Sequence, residues 1–309
     1  MHRLITVFII FTTLIFTTLL TGGVVAQEKA TQPTFSAEEV APGLYMLMGV
    51  GGFTGGNIGL SVGDDGVAMI DDSMPPMLDN MQAAIKKVTD KPVDFLINTH
   101  VHGDHTGNNE SMAKSGARIV AHENLRRHLL SKGIRGQNGN EPAPKAALPV
   151  ITFSHAMAFH LNGFDARLFH VAHAHTDGDA VIHFKNANVI HTGDTFFNGM
   201  FPYIDLSSGG SVDGYIKAQQ KILALADEKT KIIPGHGPLA NKIDLSAAVD
   251  MLVESRALVA KLVKMGKSEE EIVKAGPLEK FDKKWSWRFI TTEKMTRQLV
   301  KGLTSEKSH

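Results

Sequence analysis

The 309-residue chain contains no cysteine. That absence excludes disulfides, thiolate nucleophiles, Cys-ligated zinc and a lipoprotein anchor, so any reactive centre must be built from other side chains. Net charge is absent too, since 32 basic residues balance 32 acidic ones. A general attraction to nucleic acid or to an anionic membrane surface has no basis in such a composition. With 43% hydrophobic and 21% charged residues, the chain is neither disordered nor a polytopic membrane protein. No short repeat occurs, and no linker is rich enough to divide the chain. What the sequence has in excess is histidine: 15 residues, most of them between His100 and His236.

The first 26 residues read as a secretory signal peptide. His2 and Arg3 open a short basic start, Leu4 to Leu20 is apolar with interspersed threonines, and Val24-Val25-Ala26 supplies small residues for cleavage before Gln27. An uncleaved anchor is the competing reading, but no basic stop-transfer cluster follows the apolar run. The expected mature protein is periplasmic or secreted, without stable membrane insertion, and residues 27–309 form one domain with a helical C-terminal segment from about 265.

Residues 27–38 read as a polar, frayed leader. From Ala41, short strands alternate with Gly-rich turns: GLYMLMG, NIGLSVG and VAMIDD. An amphipathic helix over 77–88 follows Pro75-Pro76, and the apolar run 93–99 reads as a buried strand. Next come a helix near 108–115, the strand 118–122, a helix over 123–131 and a surface loop over 133–149. The second half repeats the order. Strands lie within 150–161 and 165–173, a hairpin over 180–194 turns at Asn186–Asn188, and a loop (195–210) leads to a helix over 212–226. The strand KIIPGHG and helices from about 245 to 303 complete the chain. Strands mixed with helices in two successive halves suggest two sheets back to back with helices outside.

The segment INTHVHGDHTGN carries the chemistry. In an extended backbone residues i and i+2 share a side, so His100 and His102 can reach one ion. Asp104 and His105 continue the loop, and Gly103 and Gly107 permit its tight path. Four nitrogen and carboxylate donors in six residues exceed what one tetrahedral zinc ion can share with further ligands, so two ions are expected. An isolated H-x-H could be a solvated loop; H-x-H-x-D-H directly after a buried strand is far more specific. Three further donors each end a strand beside glycine or turn residues: His175 in AHTDGD, Asp194 in HTGDTFF and His236 in PGHG. His173 competes with His175 for one face of an extended segment. His183 and His191 alternate into strands and read as packed or exposed, while His122, His128, His155, His160 and His170 carry no spacing signal.

This pattern resembles the metallo-β-lactamase superfamily over roughly residues 40–260. The resemblance implies a four-layer αββα sandwich, with mixed sheets, helices on the outer faces and the site at one edge. It assigns His100, His102 and His175 to one metal, Asp104, His105 and His236 to the other, and Asp194 to a bridge between them, as in hydroxyacylglutathione-hydrolase-like members. It also matches Asp71 or Asp72 to an acidic residue that orients a ligand histidine; capping of the following helix explains the pair equally well. In that family the stretch 49–56 is a mobile flap with Phe53 at its tip. An ordinary glycine hairpin is the plainer reading. A phosphate loop is excluded, because no Gly-Lys-Ser/Thr follows.

Two zinc ions sharing a water would give hydroxide near neutral pH, oriented by Asp104 as the catalytic residue, to attack an ester, thioester or amide carbonyl of a small molecule. β-Lactam-like amides fall in that class, but the best-known β-lactamases carry a lysine three residues beyond the Asp194 position, where this chain has Phe197. Glutathione-thioester hydrolysis is the alternative; mononuclear-iron persulfide oxidation and a non-catalytic binding module are weaker ones. The export reading has its own test. N-terminal sequencing of the periplasmic fraction should return a chain beginning near Gln27, and full-length protein confined to the cytosol would contradict it.

Overall fold

Alternate residues of a strand face opposite sides, and most strands of this protein are apolar on both. In the second strand Leu44 and Met46 enter one hydrophobic cluster while Leu47 enters another. A sheet of that kind must be covered on both faces. The computed structural model, which describes residues 32–136 and 139–305, shows how. The proposed signal peptide lies outside the described residues.

The first sheet has seven strands, in the order β1 (Thr34–Ala41), β2 (Leu44–Val50), β3 (Ile58–Gly63), β4 (Gly66–Ile70), β5 (Phe95–Ile97), β6 (Arg118–His122) and β9 (Ile151–Phe153). β1 to β4 form an antiparallel meander, and β4, β5, β6 and β9 run parallel. Between β6 and β9 the chain makes a small separate hairpin, β7 (Ile134–Gly136) and β8 (Gly139–Glu141). The second sheet orders β10 (Ala156–Leu161), β11 (Phe164–His170), β12 (Ala180–Phe184), β13 (Val189–His191) and β14 (Lys231–Ile233), with only the β13–β14 pair parallel. Both sheets are mixed.

Leu44, Met46, Ile70, Ile97 and Val120 of the first sheet meet Leu168, Ile182, Val189 and Ile233 of the second in one cluster. The outer face of the first sheet is covered by α1 (Leu78–Lys86) and α3 (Asn109–Lys114), through Met81, Ile85 and Met112. On the second sheet, Phe169, Val181, Ile190 and Ile232 pack under α5 (Val212–Leu225), α6 (Lys242–Lys264) and α9 (Thr292–Ser305). The layers therefore run helix, sheet, sheet, helix. The remaining α-helices are α2 (Gly103–Thr106), α4 (Glu123–Lys132), α7 (Glu269–Lys274) and α8 (Asp282–Trp285). The described residues form one compact unit. No helix of the described residues is long and apolar enough to cross a membrane.

Three expectations change. The leader expected over 27–38 is, from Thr34, a strand: β1 pairs along β2 and buries Phe35 and Val40 while its other residues are largely exposed, so it reads as polar although its edge is paired. The loop expected over 133–149 contains the β7–β8 hairpin. The run 150–161 is not one strand but two, β9 ending the first sheet and β10 beginning the second, so Ser154 and His155 are where the chain crosses over.

Helix α6 begins with a capping box, in which the Asn241 side chain accepts from the backbone N–H of Ile243 and Asp244 while the Asp244 carboxylate accepts from Asn241 N–H. Replacing a cap by alanine costs about 1 kcal/mol, and emptying a buried isoleucine site costs roughly 2–5 kcal/mol. Urea unfolding should thus rank Ile182→Ala as more damaging than Asn241→Ala. Ile243→Ala, at a side chain 71% exposed, should lie within about 0.5 kcal/mol of the parent.

Candidate metal centre

Strand direction places the donors. β11, β13 and β14 point the same way, and their carboxyl ends deliver His175, Asp194 and His236 to one edge of the second sheet. In the first sheet β4 and β5 are parallel neighbours, and their carboxyl ends deliver Asp71 and the His100 segment. His100 and His102 lie in a bend after β5, which is shorter than expected, with ring centroids 4.9 Å apart and planes at 90°. Asp104 and His105 do not continue an extended loop: they occupy the single helical turn α2, whose backbone continues directly from His102.

All seven predicted donors converge, in two groups. One atom each of His100, His102, His175 and Asp194 lies within 4.8 Å of the others, and the same holds for Asp104, His105 and His236. The Asp194 carboxylate stands between the groups. Its Oδ1 is 3.0 Å from His105 Nε2, and its Oδ2 is 3.3 Å from His236 Nε2, 3.4 Å from His175 Nε2 and 3.6 Å from His100 Nε2. Asp104 Oδ2 lies 3.4 Å from His236 Nε2 and 3.7 Å from His105 Nε2. His173 is exposed and turned away, its Nδ1–H donating to the Gly209 carbonyl at 2.9 Å.

The far side of each imidazole decides which nitrogen faces the cluster. Asp71 accepts from Thr99 N–H, from Thr99 Oγ1–H and from His105 Nδ1–H, each at 2.7 Å. Because the Thr99 hydroxyl proton is given to Asp71, that oxygen accepts from His100 Nδ1–H at 3.0 Å. One carboxylate thus orients a histidine from each group, leaving both Nε2 lone pairs pointing inward. His175 gives its Nδ1–H to the Tyr203 carbonyl (2.8 Å), and His102 gives its Nε2–H to Asp205 (3.0 Å). Asp72 instead holds Asn108, and the first helical turns after β4 are capped at Met74 and Met77 without a side chain, so neither aspartate is a helix cap. His191 is buried in its strand and outside both groups.

The electrostatics are those of a site arranged for cations. Burial disfavours charge on Asp194, but His105, His236 and His100 overcome it and hold the carboxyl well below its ordinary range. Asp104 is likewise brought down to about 2, burial being outweighed by His105 and His236. Burial also opposes charge on His236, yet the Asp194 and Asp104 carboxylates lift it to about 9. His105 is raised for the same reason, whereas burial and neighbouring imidazoles hold His100 well down and bring His175 to about 4. Protons on His105 and His236 occupy places that a dication would take, expelling them as it binds. The residues fit metal on a second ground. His100 Nε2, His105 Nε2 and Asp194 Oδ1 are fully buried with no aligned hydrogen bond, a costly state unless another group satisfies them. Two glycines leave the required room: a Cβ at Gly56 would lie 2.1 Å from the His105 ring, and one at Gly235 would lie 2.0 Å from Asp194 Oδ1.

Residues 51–236, more than half of the chain, match the metallo-beta-lactamase superfamily. The chain belongs to that superfamily. It is 30% identical to a hydroxyacylglutathione hydrolase of Pelagibacter ubique, over 49% of this chain and 56% of the relative. A probable metallo-hydrolase of Bacillus subtilis is 28% identical, over 48% of this chain and 69% of the relative. This superfamily member thus spans little more than half the length of the first of these curated relatives. Among solved structures it resembles a metallo-beta-lactamase from Pontibacter korlensis, with TM-score 0.59 and 16% identity over 71% of this chain and 99% of that one. It also resembles a sec-alkylsulfatase from Pseudomonas, with TM-score 0.65 and 18% identity over 86% of this chain and 50% of that one. These likenesses show the αββα metallo-beta-lactamase fold.

Two residues escape a reading by spacing. Asp205, in the 195–210 loop, orients His102, and Tyr215 of α5 donates its hydroxyl to the Asp194 carbonyl at 2.9 Å. Neither sits in a motif, because each reaches the centre from a distant segment. Asp71→Ala should leave His105 Nδ1–H and two Thr99 donors unpaired and weaken metal affinity by about 10–100-fold. Competition with a chromophoric chelator measures this, with urea unfolding in parallel; unchanged affinity in a folded variant would remove Asp71 from the role.

Proposed function

We propose that this superfamily member is a dinuclear zinc hydrolase acting on a carbonyl ester, thioester or amide of a small molecule, exported through its N-terminal signal. The observation that carries the reading is the position of Asp194, one buried carboxylate facing donors of both groups. A histidine–carboxylate donor set without sulfur suits zinc. His100, His102 and His175 would hold one ion, Asp104, His105 and His236 the other, and Asp194 both. Zinc in such a pair supplies Lewis acidity for the carbonyl and an acidified water as nucleophile.

The remaining work falls to the chain. Asp71, Thr99, Asp205 and the Tyr203 carbonyl keep the ligand nitrogens in register, so little reorganisation accompanies the reaction. Asp104, three-quarters buried and ionised, would accept a hydrogen bond from the attacking water and orient it. Phe53, at the tip of the glycine hairpin and 58% exposed, lies nearly parallel to His236 at 5.9 Å and shields that side from solvent. The hydroxyacylglutathione hydrolase relatives favour a thioester among the carbonyl substrates.

Elemental analysis of purified protein should give two zinc ions per chain. Asp194→Ala should retain at most one and lose hydrolysis, because two dications would face one another without the intervening carboxylate. His173→Ala should match the parent in both measurements. One ion in the parent, iron alone at full activity, or metal lost on His173→Ala and retained on Asp194→Ala would overturn the assignment.

A further inference from the structure

A continuous arc of aromatic rings leaves one group of donor histidines and returns to the other. It starts at His236, on which Phe197 stacks with ring centroids 4.9 Å apart. Phe197 meets Trp287 at 6.3 Å, Trp287 meets Phe289 at 5.6 Å, and Phe289 meets Tyr203 at 5.7 Å. Tyr203 closes the arc at 5.9 Å from both His102 and His175. Phe197 is buried and forms its floor; Trp287 and Tyr203 are half-buried, and Phe289 is 50% exposed.

The C-terminal segment holds this wall in place. Phe201 N–H donates to the Trp285 carbonyl at 2.7 Å, and Trp287 Nε1–H donates to the Phe201 carbonyl at 2.9 Å. The Gln298 side chain of α9 accepts from Ile204 N–H and donates to the Pro202 carbonyl, fixing the backbone on both sides of Tyr203. The indole proton is therefore already used, and the ring offers its apolar body. The Lys294 ammonium is also engaged, with the Phe289 carbonyl at 2.9 Å and the Phe289 ring at 5.2 Å.

Rings half-exposed beside a polar centre leave apolar surface in water, an unfavourable arrangement that a bound apolar group would relieve. We infer that the Tyr203–Trp287–Phe289 wall is a substrate subsite selecting an uncharged aromatic group attached to the scissile carbonyl. This rests on the hydrolase reading and specifies its substrate. Phe197 supports Trp287 from the side of His236.

The test compares full-length zinc-loaded protein on the 4-nitrophenyl esters of phenylacetate, acetate and succinate. The parent should prefer phenylacetate to both others by about tenfold or more in kcat/KM, the discrimination available from burying one apolar group. Phe289→Ala, at a half-exposed side chain, should lose that preference through a raised KM for phenylacetate, the phenylacetate-to-acetate ratio in kcat/KM falling toward one. Calorimetric titration of metal-free protein with phenylacetamide gives a readout independent of turnover, with binding expected in the parent and weakened in Phe289→Ala. Phenylacetamide binding without hydrolysis of any ester would support the subsite and sink the hydrolase. Ester hydrolysis with equal loss on acetate and phenylacetate in Phe289→Ala would sink the subsite alone. Preference for succinate over phenylacetate would also overturn it, because a charged group would then be favoured over an aromatic one.

Discussion

The centre depends on the three hydrogen bonds that converge on Asp71. The carboxylate is inaccessible to solvent and is held by Thr99 N–H, Thr99 Oγ1–H and His105 Nδ1–H. Its backbone carries a conformational cost: φ is 61° at Asp71 and 65° at Ser73, a region worth of order 1–3 kcal/mol of strain for residues with a Cβ. That strain turns the chain sharply at the end of β4 and brings the carboxylate beneath the neighbouring strand's loop. Orientation of the second histidine through the Thr99 hydroxyl arises from the same geometry. Two imidazoles from different donor groups therefore share one anchor, and neither can rotate independently of the other.

Asp194 complements this from the second sheet. Asp71 sets the far nitrogens, while Asp194 faces the near ones. A carboxylate so deeply buried is tolerable only with compensating positive charge around it. The histidines supply it when protonated, and metal would supply it more fully. The same balance accounts for Asp104, which is less buried and sits on the solvent side of His105 and His236.

The donor set is legible in the sequence because its members lie at strand ends, where a short motif succeeds an apolar run. His100 to His105 form a contiguous string, and His175, Asp194 and His236 each come after a readable strand. His173 and His175 are separable in the sequence only by the Thr-Asp-Gly turn after His175, and the backbone shows why: His173 has φ 50°, which breaks the extended alternation that would have put both on one face. The supporting residues are illegible for a different reason. Asp205, Tyr203 and Tyr215 reach the centre through tertiary packing, and nothing in their local spacing reports on it. β1 escapes a pattern reading because an edge strand covered on one face only carries mostly polar residues, which resemble a leader rather than a sheet. The helix and sheet layers, by contrast, arise from strands apolar on both faces, a property visible in the residues themselves.

The crossover at Ser154 and His155 divides the donor residues as well as the sheets. His100, His102, Asp104 and His105 lie before it; His175, Asp194 and His236 lie after it. Within each donor group, members come from both halves. Any ion held here acts as a rivet through the two sheets, and its binding free energy is at the same time cohesion between them. By linkage, the tightness of the sandwich at this edge then varies with free metal concentration. In a compartment poor in metal, the two halves would be joined at this edge by the apolar core between the sheets and by hydrogen bonds that need no ion, such as Ala180 N–H to the Thr99 carbonyl and Asn57 N–H to the Gly235 carbonyl, both at 2.8 Å.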